Sequence, residues 1–343
     1  KTKQYPIHAV HGGKMECNNI SLVTGAAGFM GSHLVEHLVE KGVRVRATSR
    51  PRKERSFFDR LGVEFIPSDL TRPETLPPLF EGSVDCVFHL GAICNFSTPF
   101  KNLYPTNVEG VRQITGEALK AGVKRFVHVT STSVYGYYQG NPFVEERPRN
   151  PGDDYGKSKK AGEDILFERL KEGLPAIIAR PCTVYGPRCT DGAGKAFSRP
   201  TSITAIPGKG TQLLSNIRAE DVAAALYYLS LRDDSVGEIY NLSEVTHPTL
   251  EEALVLAAET YGTKPPTLHL PLGLVKTVAR VDGFIAGMKG KIPDLEVDAV
   301  KYLYDDYVVD NSKLLRTGFK LKYPDFRVSM RELGELFKKG RVL

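Results

Sequence analysis

The sequence has little of several features that mark specialised classes of protein. It has no tryptophan, five cysteines among 343 residues, and no apolar run near the roughly 18 residues that a bilayer-spanning helix needs. An odd number of cysteines without a CxxC pair argues against a disulfide framework and favours a reducing compartment. Since no signal-peptide pattern precedes the first apolar segment, we expect a cytoplasmic protein without an integral membrane segment.

Net charge is also small. The formal charge of +6 is spread along the chain, apart from two basic stretches at 50–55 and 338–341. This balance makes nucleic acid a poor candidate partner and leaves a small molecule as the expected one. Apolar residues make up 41% and charged residues 25% of the chain, which is ordinary for a globular protein with one large α/β core and a smaller lobe.

A glycine-rich stretch organises the sequence. Residues 24–31, TGAAGFMG, stand between the apolar run 20–23 and a helical pattern over 28–40. Glycines at such a point permit a tight turn, let the backbone approach a pyrophosphate and allow a helix to pack closely on a strand. The amino terminus of that helix then faces the anion. The stretch therefore predicts a dinucleotide site.

Short apolar strands alternate with helical patterns along the chain. The predicted strands cover residues 20–23, 43–47, 63–67, 84–90, 125–131, 176–180 and 239–242. This alternation predicts an α/β fold with a doubly wound parallel Rossmann sheet and a smaller mixed α/β C-terminal lobe. In such a sheet ligands bind at the carboxyl ends of the strands, which is where the motifs below fall.

The pattern divides the chain into three parts. Residues 1–18 are expected to be a flexible extension, 19–186 mainly a dinucleotide-binding domain, and 187–343 mainly a substrate-binding lobe. Dense Pro, Gly and Arg after residue 186 mark the boundary. We expect the chain to return to the first domain around 216–245, where an amphipathic helix and an apolar strand follow one another.

Tyr155 and Lys159 are four residues apart in a predicted helix, so they share one helix face. The ordinary pKa of tyrosine is about 10, and an adjacent ammonium stabilises the phenolate, which suits acid–base chemistry near neutral pH. Several hydroxyls follow the preceding strand, within TSTSVYG at 130–136. Ser131 is the candidate to orient a substrate oxygen, and Thr132 is the alternative.

Seven motifs occur together in a fixed order: TGAAGFMG, SDL, HLGA, NVEG, TSTSVYG, YGKSK and RPCTVYGP. In combination they resemble the extended short-chain dehydrogenase/reductase family of the NAD-dependent epimerase/dehydratase superfamily, from about Ile20 to Phe337. The resemblance implies a Rossmann domain that holds NAD or NADP, a small C-terminal substrate domain, and a homodimer formed through two helices of each subunit. It also implies catalysis by a Ser/Thr, a Tyr and a Lys.

Matched to the motifs of that family, four residues acquire expected roles. Tyr155 would be the acid or base, and Lys159 would bind the nicotinamide ribose and lower the pKa of the tyrosine. Ser131 would hydrogen-bond the reacting oxygen, and Asn107 matches the structural asparagine. The expected cofactor contacts are Gly25, Gly28, Phe29, Met30 and Gly31 at the pyrophosphate, Asp69 and Leu70 at the adenine, Leu90, Gly91 and Ala92 at the central ribose region, Pro181 and Thr183 at the nicotinamide, and Asn107, Tyr155 and Lys159.

The end of the second strand bears on the choice of cofactor. An acidic residue there holds a ribose 2′-hydroxyl, whereas arginine suits a 2′-phosphate. This chain has Ser49, Arg50, Arg52 and Lys53 and no acid at that point. NADP is therefore favoured, and the alternative is a solvated basic loop with NAD bound.

Two reaction classes stay open. One is a reductase or dehydrogenase resembling 3β-hydroxysteroid dehydrogenases and dihydroflavonol-reductase-like enzymes, with Asn95 and Phe96 in an apolar wall and Thr132 near the substrate. The other is a nucleotide-sugar epimerase or dehydratase with tightly held NAD, in which Arg188 and Arg218 clamp a diphosphate. Those arginines have an equally ordinary interpretation as ion-pair partners. The intact Ser131, Tyr155 and Lys159 argue against a non-catalytic NADP-binding regulator.

Two further stretches need an interpretation. Residues 33–37, HLVEH, match an inverted zinc-protease pattern, but in the first Rossmann helix this spacing indicates a helix face, and no metal is expected. The apolar segment 272–288 carries Lys276, Arg280 and nearby Lys289. It predicts either contact with a membrane surface, which would make the protein peripheral, or a cap over the substrate cleft.

Overall fold

The structure is a computed structural model that describes residues 19–51, 55–137, 140, 142–190, 192–200, 203–289, 293 and 295–340. The expected flexible extension 1–18 and the candidate NADP contacts Arg52 and Lys53 lie outside the described residues.

Strands and helices alternate through the described chain. The strands are β1 (Ile20–Thr24), β2 (Val45–Thr48), β3 (Glu64–Phe65), β4 (Val84–His89), β5 (Arg125–Val129), β6 (Ala176–Pro181), β7 (Thr183–Tyr185), β8 (Ala205–Pro207), β9 (Asn216–Arg218), β10 (Ile239–Leu242) and β11 (Leu268–Leu270). The helices are α1 (Phe29–Glu40), α2 (Ser56–Leu61), α3 (Phe100–Tyr104), α4 (Gly110–Lys120), α5 (Asp154–Lys171), α6 (Ala219–Ser230), α7 (Leu250–Tyr261), α8 (Leu272–Met288), α9 (Val297–Lys301), α10 (Ser312–Arg316) and α11 (Phe326–Lys338).

Seven strands form one parallel sheet in the order β10-β6-β5-β4-β1-β2-β3. The chain runs outward from β1 in one direction as far as β3 and then in the other direction from β4, so the strand order reverses between β1 and β4. That reversal is the point at which doubly wound sheets bind ligands. The predicted α/β fold with a Rossmann-like parallel sheet and a smaller C-terminal region is confirmed.

Both faces of the sheet are covered by helices. On one face α1 and α6 bury Leu34, Leu38 and Leu226 against the strands. On the other face α4 and α5 bury Ile114 and Leu166. Because both faces lie in apolar cores, the strands read as nearly continuous apolar runs, which is the signal that identifies a parallel sheet in the sequence.

The C-terminal region builds a separate apolar core. Helices α7 and α11 pack together and bury Leu254, Phe326 and Leu333. Two small parallel sheets pair β8 with β11 and β7 with β9. None of the helices within the described residues combines the length and the apolar character that crossing a bilayer requires.

The helical stretch that runs from α3 to α4 is not uniform. Five residues, Pro105–Glu109, form a π-helical segment between α3 and α4. Pro105 has no N–H to donate to the preceding turn, and such wide turns occur often at functional sites. The segment contains Asn107, whose side chain is buried.

A buried ion pair fixes α5 to the sheet. Arg180 of β6 donates from Nε and Nη2 to the Glu163 carboxylate at 2.9 and 2.7 Å, and both side chains are almost fully buried. Nη1 of Arg180 also donates to the Tyr135 hydroxyl at 2.9 Å. Arg149 Nη1 also lies 3.3 Å from Glu163 Oε2, so removal of Arg180 leaves the buried Glu163 carboxylate with that longer contact alone.

We expect Arg180→Ala to lower the free energy of unfolding by up to about 3–5 kcal/mol, because the buried Glu163 carboxylate would lose both of its short hydrogen bonds and keep only the 3.3 Å contact with Arg149. Urea unfolding followed by circular dichroism measures this change. Arg327→Ala is the control, since Arg327 pairs with Glu252 at the surface and such pairs contribute less than about 1 kcal/mol. Equal losses in the two variants would contradict the expectation.

Candidate active site

The glycine turn brings the ends of β1 and β4 into close contact. Gly25 has a φ of +67°, and a Cβ there would lie 2.8 Å from the backbone nitrogen of Gly91. A Cβ on Gly31 would lie 2.2 Å from the carbonyl oxygen of Gly25. Since real side chains do not tolerate such distances, only glycine fits at Gly25 and Gly31. The turn therefore leaves backbone, not side chains, facing the carboxyl edge of the sheet.

The same edge is held by a side-chain hydrogen bond. Thr24 Oγ1 lies 2.7 Å from His89 Nδ1 and accepts from the backbone N–H of Gly91 at 3.1 Å. Burial lowers the pKa of His89 to about 3, so its ring is neutral and acts as a structural partner. Hydrogen bonds thus hold the end of β4 against the glycine turn. The residues that come directly after β4 are the predicted central ribose contacts, Leu90, Gly91 and Ala92.

The ends of β2 and β3 meet beside this turn. Thr48 Oγ1 and Ser68 Oγ are 2.8 Å apart. The carboxylate of Asp69 accepts from the backbone N–H of Thr71 at 2.9 Å, and this hydrogen bond lowers the pKa of Asp69, with Arg50 and Arg72 contributing. Ser49 is half-buried and Arg50 is exposed at the end of β2. Arg50 is the described residue best placed to meet a charged group there.

The predicted catalytic residues are brought together where β5 ends and α5 begins. Ser131 follows β5, and a hydrogen bond links its side chain to that of Tyr155. Asp153 caps α5 by accepting from the backbone N–H of Gly156 at 2.7 Å. Lys159 lies one turn further along and donates from Nζ to the carbonyl of Val129 at 2.9 Å. One helix and one strand end therefore place all three side chains.

The pKa of Tyr155 is shifted in the direction opposite to the one expected. Burial raises it well above its usual value, and the Cys94 side chain raises it further, while the hydrogen bond with Ser131 lowers it. The sequence argument counted the ammonium of Lys159 but not the cost of burying a phenolate. In this structure the phenol of Tyr155 is therefore protonated at neutral pH.

Lys159 carries the complementary shift. Burial lowers its pKa from 10.5 to about 8, and the neighbouring Cys94 and Glu163 partly oppose that change. A buried ammonium close to neutrality exchanges a proton readily, which suits a residue that takes part in proton transfer.

Asn107 holds the loop that follows β4. Its Oδ1 accepts from the backbone N–H of Ile93 at 2.8 Å, and its Nδ2 donates to the carbonyl of Ile93 at 2.9 Å. Nδ2 also donates to Ser158 Oγ at 2.9 Å. The side chain thus links the π-helical segment, the β4 loop and α5. Because all its hydrogen-bonding atoms have partners, Asn107 acts as a structural residue here.

The nicotinamide contacts expected from the resemblance lie on the next strand. Pro181 is the last residue of β6, and Thr183 begins β7. Leu70 packs near Gly91, where a Cβ would lie 2.8 Å from Leu70 Cδ1. Gly28, Phe29 and Met30 form the amino-terminal end of α1. In α1, all of which is described, no side chain caps the amino terminus and no acid stands in the first turn.

Two of the candidate substrate residues, Asn95 and Phe96, line a cleft of about 550 Å³ between the β4 loop and helices α8 and α9. Phe96 packs edge-on against Tyr155, with ring centroids 5.0 Å apart. Asn95 lines the same cleft, although its Oδ1 is occupied by the Ser97 backbone N–H and the Thr98 hydroxyl. Thr132 is buried, and its carbonyl accepts from the Tyr307 hydroxyl at 2.8 Å.

The two arginines predicted as a diphosphate clamp are both paired with carboxylates. Arg218 is fully buried, donates to Glu220 and the Ser329 hydroxyl, and lies over the ring of Tyr323. Arg188 donates from Nη1 and Nη2 to Glu36 at 3.1 and 2.6 Å. Both guanidinium groups are therefore ion-pair partners of carboxylates in this structure.

His33 belongs to the stretch that matches a zinc-protease pattern. Its Nε2 lies 2.8 Å from the carbonyl oxygen of Pro187.

Sequence reasoning placed Cys94 in the stretch that forms an apolar wall but missed its hydrogen bond with Tyr155. It also missed three tyrosines that border the site, Tyr137, Tyr302 and Tyr307. Tyr302 packs edge-on against Phe96 and Tyr137, with ring centroids 5.5 and 5.0 Å away. Tyr307 packs against Tyr302 at 5.4 Å. Nothing local in the sequence connects the 302–307 segment to Phe96, because the contact spans two hundred residues.

The described residues fit a dinucleotide. At Gly25 and Gly31 the surrounding backbone packs too closely to admit a Cβ, so the turn before α1 is built of backbone alone, as close approach of a pyrophosphate requires. The uncapped amino terminus of α1 points its N–H groups toward the carboxyl edge of the sheet, which suits a pyrophosphate. A model of the NAD dependent epimerase/dehydratase family matches residues 21–243, well over half of the chain.

The chain belongs to this epimerase/dehydratase family. Its members are enzymes of the extended short-chain dehydrogenase/reductase class, and the resemblance read from the seven motifs is confirmed. As an oxidoreductase of this NAD-dependent epimerase/dehydratase family, the chain is expected to act on a small molecule.

Known members of the family differ in activity. Sterol demethylase protein B of Methylococcus capsulatus is 34% identical over 269 residues, which cover 76% of this chain and 80% of that protein. The 4-hydroxy-2-methyl-3-oxo-4-farnesyl-3,4-dihydroquinoline-1-oxide ketoreductase of Stigmatella aurantiaca is 26% identical over 273 residues, covering 76% and 79%. The structure of MoeE5 in complex with UDP-glucose and NAD is 26% identical, with a TM-score of 0.72, and covers 94% of this chain and 99% of that one.

The lowered pKa of Lys159 makes stability depend on pH. Between about pH 8 and 10.5 the unfolded chain binds more protons at this residue than the folded chain, so the free energy of unfolding rises with pH. Relative to Lys159→Met, which cannot titrate, we expect the wild type to gain about 2 kcal/mol from about pH 7.5 to about pH 9.5.

Urea unfolding of both proteins at the two pH values measures this gain. Lys157→Met, on the exposed side of the same helix, is the matched control and should keep the wild-type pH dependence. A wild type and a Lys159→Met variant with parallel pH profiles would show that Lys159 titrates normally.

Proposed function

We propose that this chain is an NADP(H)-dependent oxidoreductase that reduces a ketone, or oxidises the corresponding secondary alcohol, on an apolar steroid-like or flavonoid-like substrate. The observation that carries the proposal is the aromatic wall next to the candidate catalytic group. Phe96 packs on Tyr155, and Tyr302 packs on Phe96. An apolar ring system is the substrate that such a wall accommodates best.

The ion pairs of Arg188 and Arg218 also support an apolar substrate rather than a diphosphate. Arg188 and Arg218 already neutralise Glu36 and Glu220, so a diphosphate would have to displace a carboxylate from each. Breaking the buried pair at Arg218 is costly because Glu220 would lose its partner. Two relatives agree with an apolar substrate, since one is named for sterol demethylation and the other for reduction of a farnesylated ketone.

The proposed chemistry uses the Ser131, Tyr155 and Lys159 group. When bound, the nicotinamide supplies or accepts the hydride. In the reductive direction Tyr155 donates its proton to the carbonyl oxygen, and the raised pKa of Tyr155 supports this role by keeping the phenol protonated. The Ser131 hydroxyl hydrogen-bonds the same oxygen. Lys159, with its pKa of about 8, stabilises the phenolate that remains after the transfer.

The preference for NADP is proposed from the end of β2. Arg50 is exposed there, and no acidic residue stands at 48–53 to accept a ribose 2′-hydroxyl. Arginine suits a 2′-phosphate because its guanidinium donates in a bidentate manner. The homodimer and the cytoplasmic location expected from the sequence stay predictions.

A nucleotide-sugar epimerase or dehydratase is the second candidate. The structure of MoeE5 with UDP-glucose and NAD favours it, because that protein resembles this chain over nearly its whole length. This reaction class returns the hydride to the same substrate and keeps its NAD bound, whereas a reductase exchanges its cofactor each turnover. The cofactor that accompanies the purified protein therefore distinguishes the two candidates.

We expect protein denatured after purification to release no stoichiometric NAD or NADH, as measured by absorbance and mass. It should bind NADPH at least about tenfold more tightly than NADH, and Arg50→Asp should remove that preference because a carboxylate repels the 2′-phosphate. Arg44→Asp, at the opposite end of β2, is the control and should leave the preference unchanged. Recovery of one equivalent of NAD would overturn the reductase assignment in favour of the epimerase or dehydratase.

Tyr155→Phe should lower turnover by about 10²–10⁴-fold while NADPH affinity stays close to that of the wild type, because the variant loses only the proton donor. NADPH oxidation with a 3-ketosteroid and with a dihydroflavonol measures this effect. Tyr261→Phe is the control, since the Tyr261 hydroxyl donates to Phe197 in the C-terminal core. Full turnover in Tyr155→Phe would exclude Tyr155 as the acid. A wild type that reduces neither ketone would contradict the proposed substrate class.

A further inference from the structure

Helix α8 exposes an unusual amount of apolar surface. Six of the twelve large apolar side chains that are exposed among the described residues belong to this one helix. They are Leu274, Val278, Val281, Phe284, Ile285 and Met288, with exposed fractions between 40% and 70%. Contiguous exposed apolar patches on a globular protein mark interaction sites.

The spacing of these residues makes them a continuous stripe. Five of the six follow one another at intervals of four and three residues, 274, 278, 281, 285 and 288, which places them along a single side of the helix. The helix is attached to the protein by a different side, on which Val275, Ala279 and Ala286 are buried. A stripe of this kind normally faces the core, but here it faces outward.

The charge around the stripe is positive. Helix α8 and the residue that follows it contain three basic residues, Lys276, Arg280 and Lys289, and a single acidic residue, Asp282. The Asp282 carboxylate accepts from the backbone N–H of Leu295 at 3.0 Å, so it is directed to the protein. Arg280 and Lys289 are exposed on the same helix as the stripe. An apolar stripe flanked by basic residues is complementary to a bilayer surface, which has anionic headgroups over an apolar interior.

This charge pattern also bears on the identity of the occupant. In a symmetric dimer through α8 the same patch would face itself, and the basic residues of two copies would be brought together. Like charges in contact disfavour such an interface. An anionic bilayer has the opposite charge and offers an apolar interior to the stripe.

We propose that α8 docks on the surface of an anionic lipid bilayer, with the stripe from Leu274 to Met288 at the boundary between headgroups and acyl chains. This property goes beyond the proposed oxidoreductase function and does not depend on it. Arg280, Gly283 and Gly287 of the same helix also line the cleft that contains Phe96. Docking would therefore bring the cleft next to the bilayer, from which an apolar substrate would enter; this consequence alone rests on the proposed function.

The absence of tryptophan from the sequence provides a direct test. Phe284→Trp places a single tryptophan at the most exposed of the six apolar positions of α8, and Val328→Trp places one at an exposed valine of α11. On addition of vesicles of phosphatidylcholine and phosphatidylserine, we expect the emission of Phe284→Trp to shift to shorter wavelength and that of Val328→Trp to stay constant. High salt should reduce the shift.

Co-sedimentation with the same vesicles gives an independent readout. Val278→Asp should lose binding, because it puts a charge into the stripe, while Val328→Asp should bind like the wild type; the two valines are 50% and 48% exposed. Circular dichroism and NADPH binding confirm that each variant is folded.

Three results would overturn the proposal. One is an unchanged emission of folded Phe284→Trp with vesicles. Another is an equal shift in both tryptophan variants, which would indicate nonspecific adsorption. The third is a wild-type dimer that does not bind vesicles and that Val278→Asp converts to a monomer, which would assign the stripe to a second copy of this chain.

Discussion

The close approach of two backbone segments at the carboxyl edge of the sheet is the constraint on which the rest of the structure depends. Gly25 lies so near Gly91, and Gly31 so near Gly25, that no side chain fits at Gly25 or Gly31. This contact fixes the direction in which α1 leaves the sheet and exposes its amino terminus at the point where the strand order reverses. The hydrogen bonds of Thr24 to His89 and Gly91 hold the two strand ends in that position. The edge that suits a dinucleotide thus depends on close backbone packing, in which Gly25 and Gly31 can carry only a hydrogen atom in place of a side chain.

Helix α5 joins the chemistry to the stability of the core. Its first two turns carry Tyr155 and Lys159, and its third carries Glu163, which pairs with Arg180 of β6 in the interior. The buried ion pair and the hydrogen bond of Lys159 to Val129 fix the helix relative to two strands. The site is therefore positioned by the same polar contacts that would be costly to break, which explains how ionisable groups remain in one arrangement within an apolar core.

The C-terminal region contributes side chains that border the candidate active site. Its Tyr302 completes an aromatic wall with Phe96, and its helix α8 covers one side of the cleft while presenting apolar residues outward. The family fold alone does not distinguish reduction of a ketone from epimerisation of a sugar. The proposal of an apolar substrate rests on the side chains that this region and the β4 loop place around Tyr155.

The sequence by itself determined the parallel sheet, the glycine turn and the placement of Tyr155 and Lys159 on one helix, because each depends on spacing within a short segment. It also placed Ser131 beside Tyr155, since strand ends in a parallel sheet meet at one edge. Only the tertiary structure decided that Arg218 is buried against Glu220, that Tyr302 meets Phe96 and that burial raises the pKa of Tyr155. These properties depend on contacts between distant segments and on exclusion from water, which no local pattern of residues specifies.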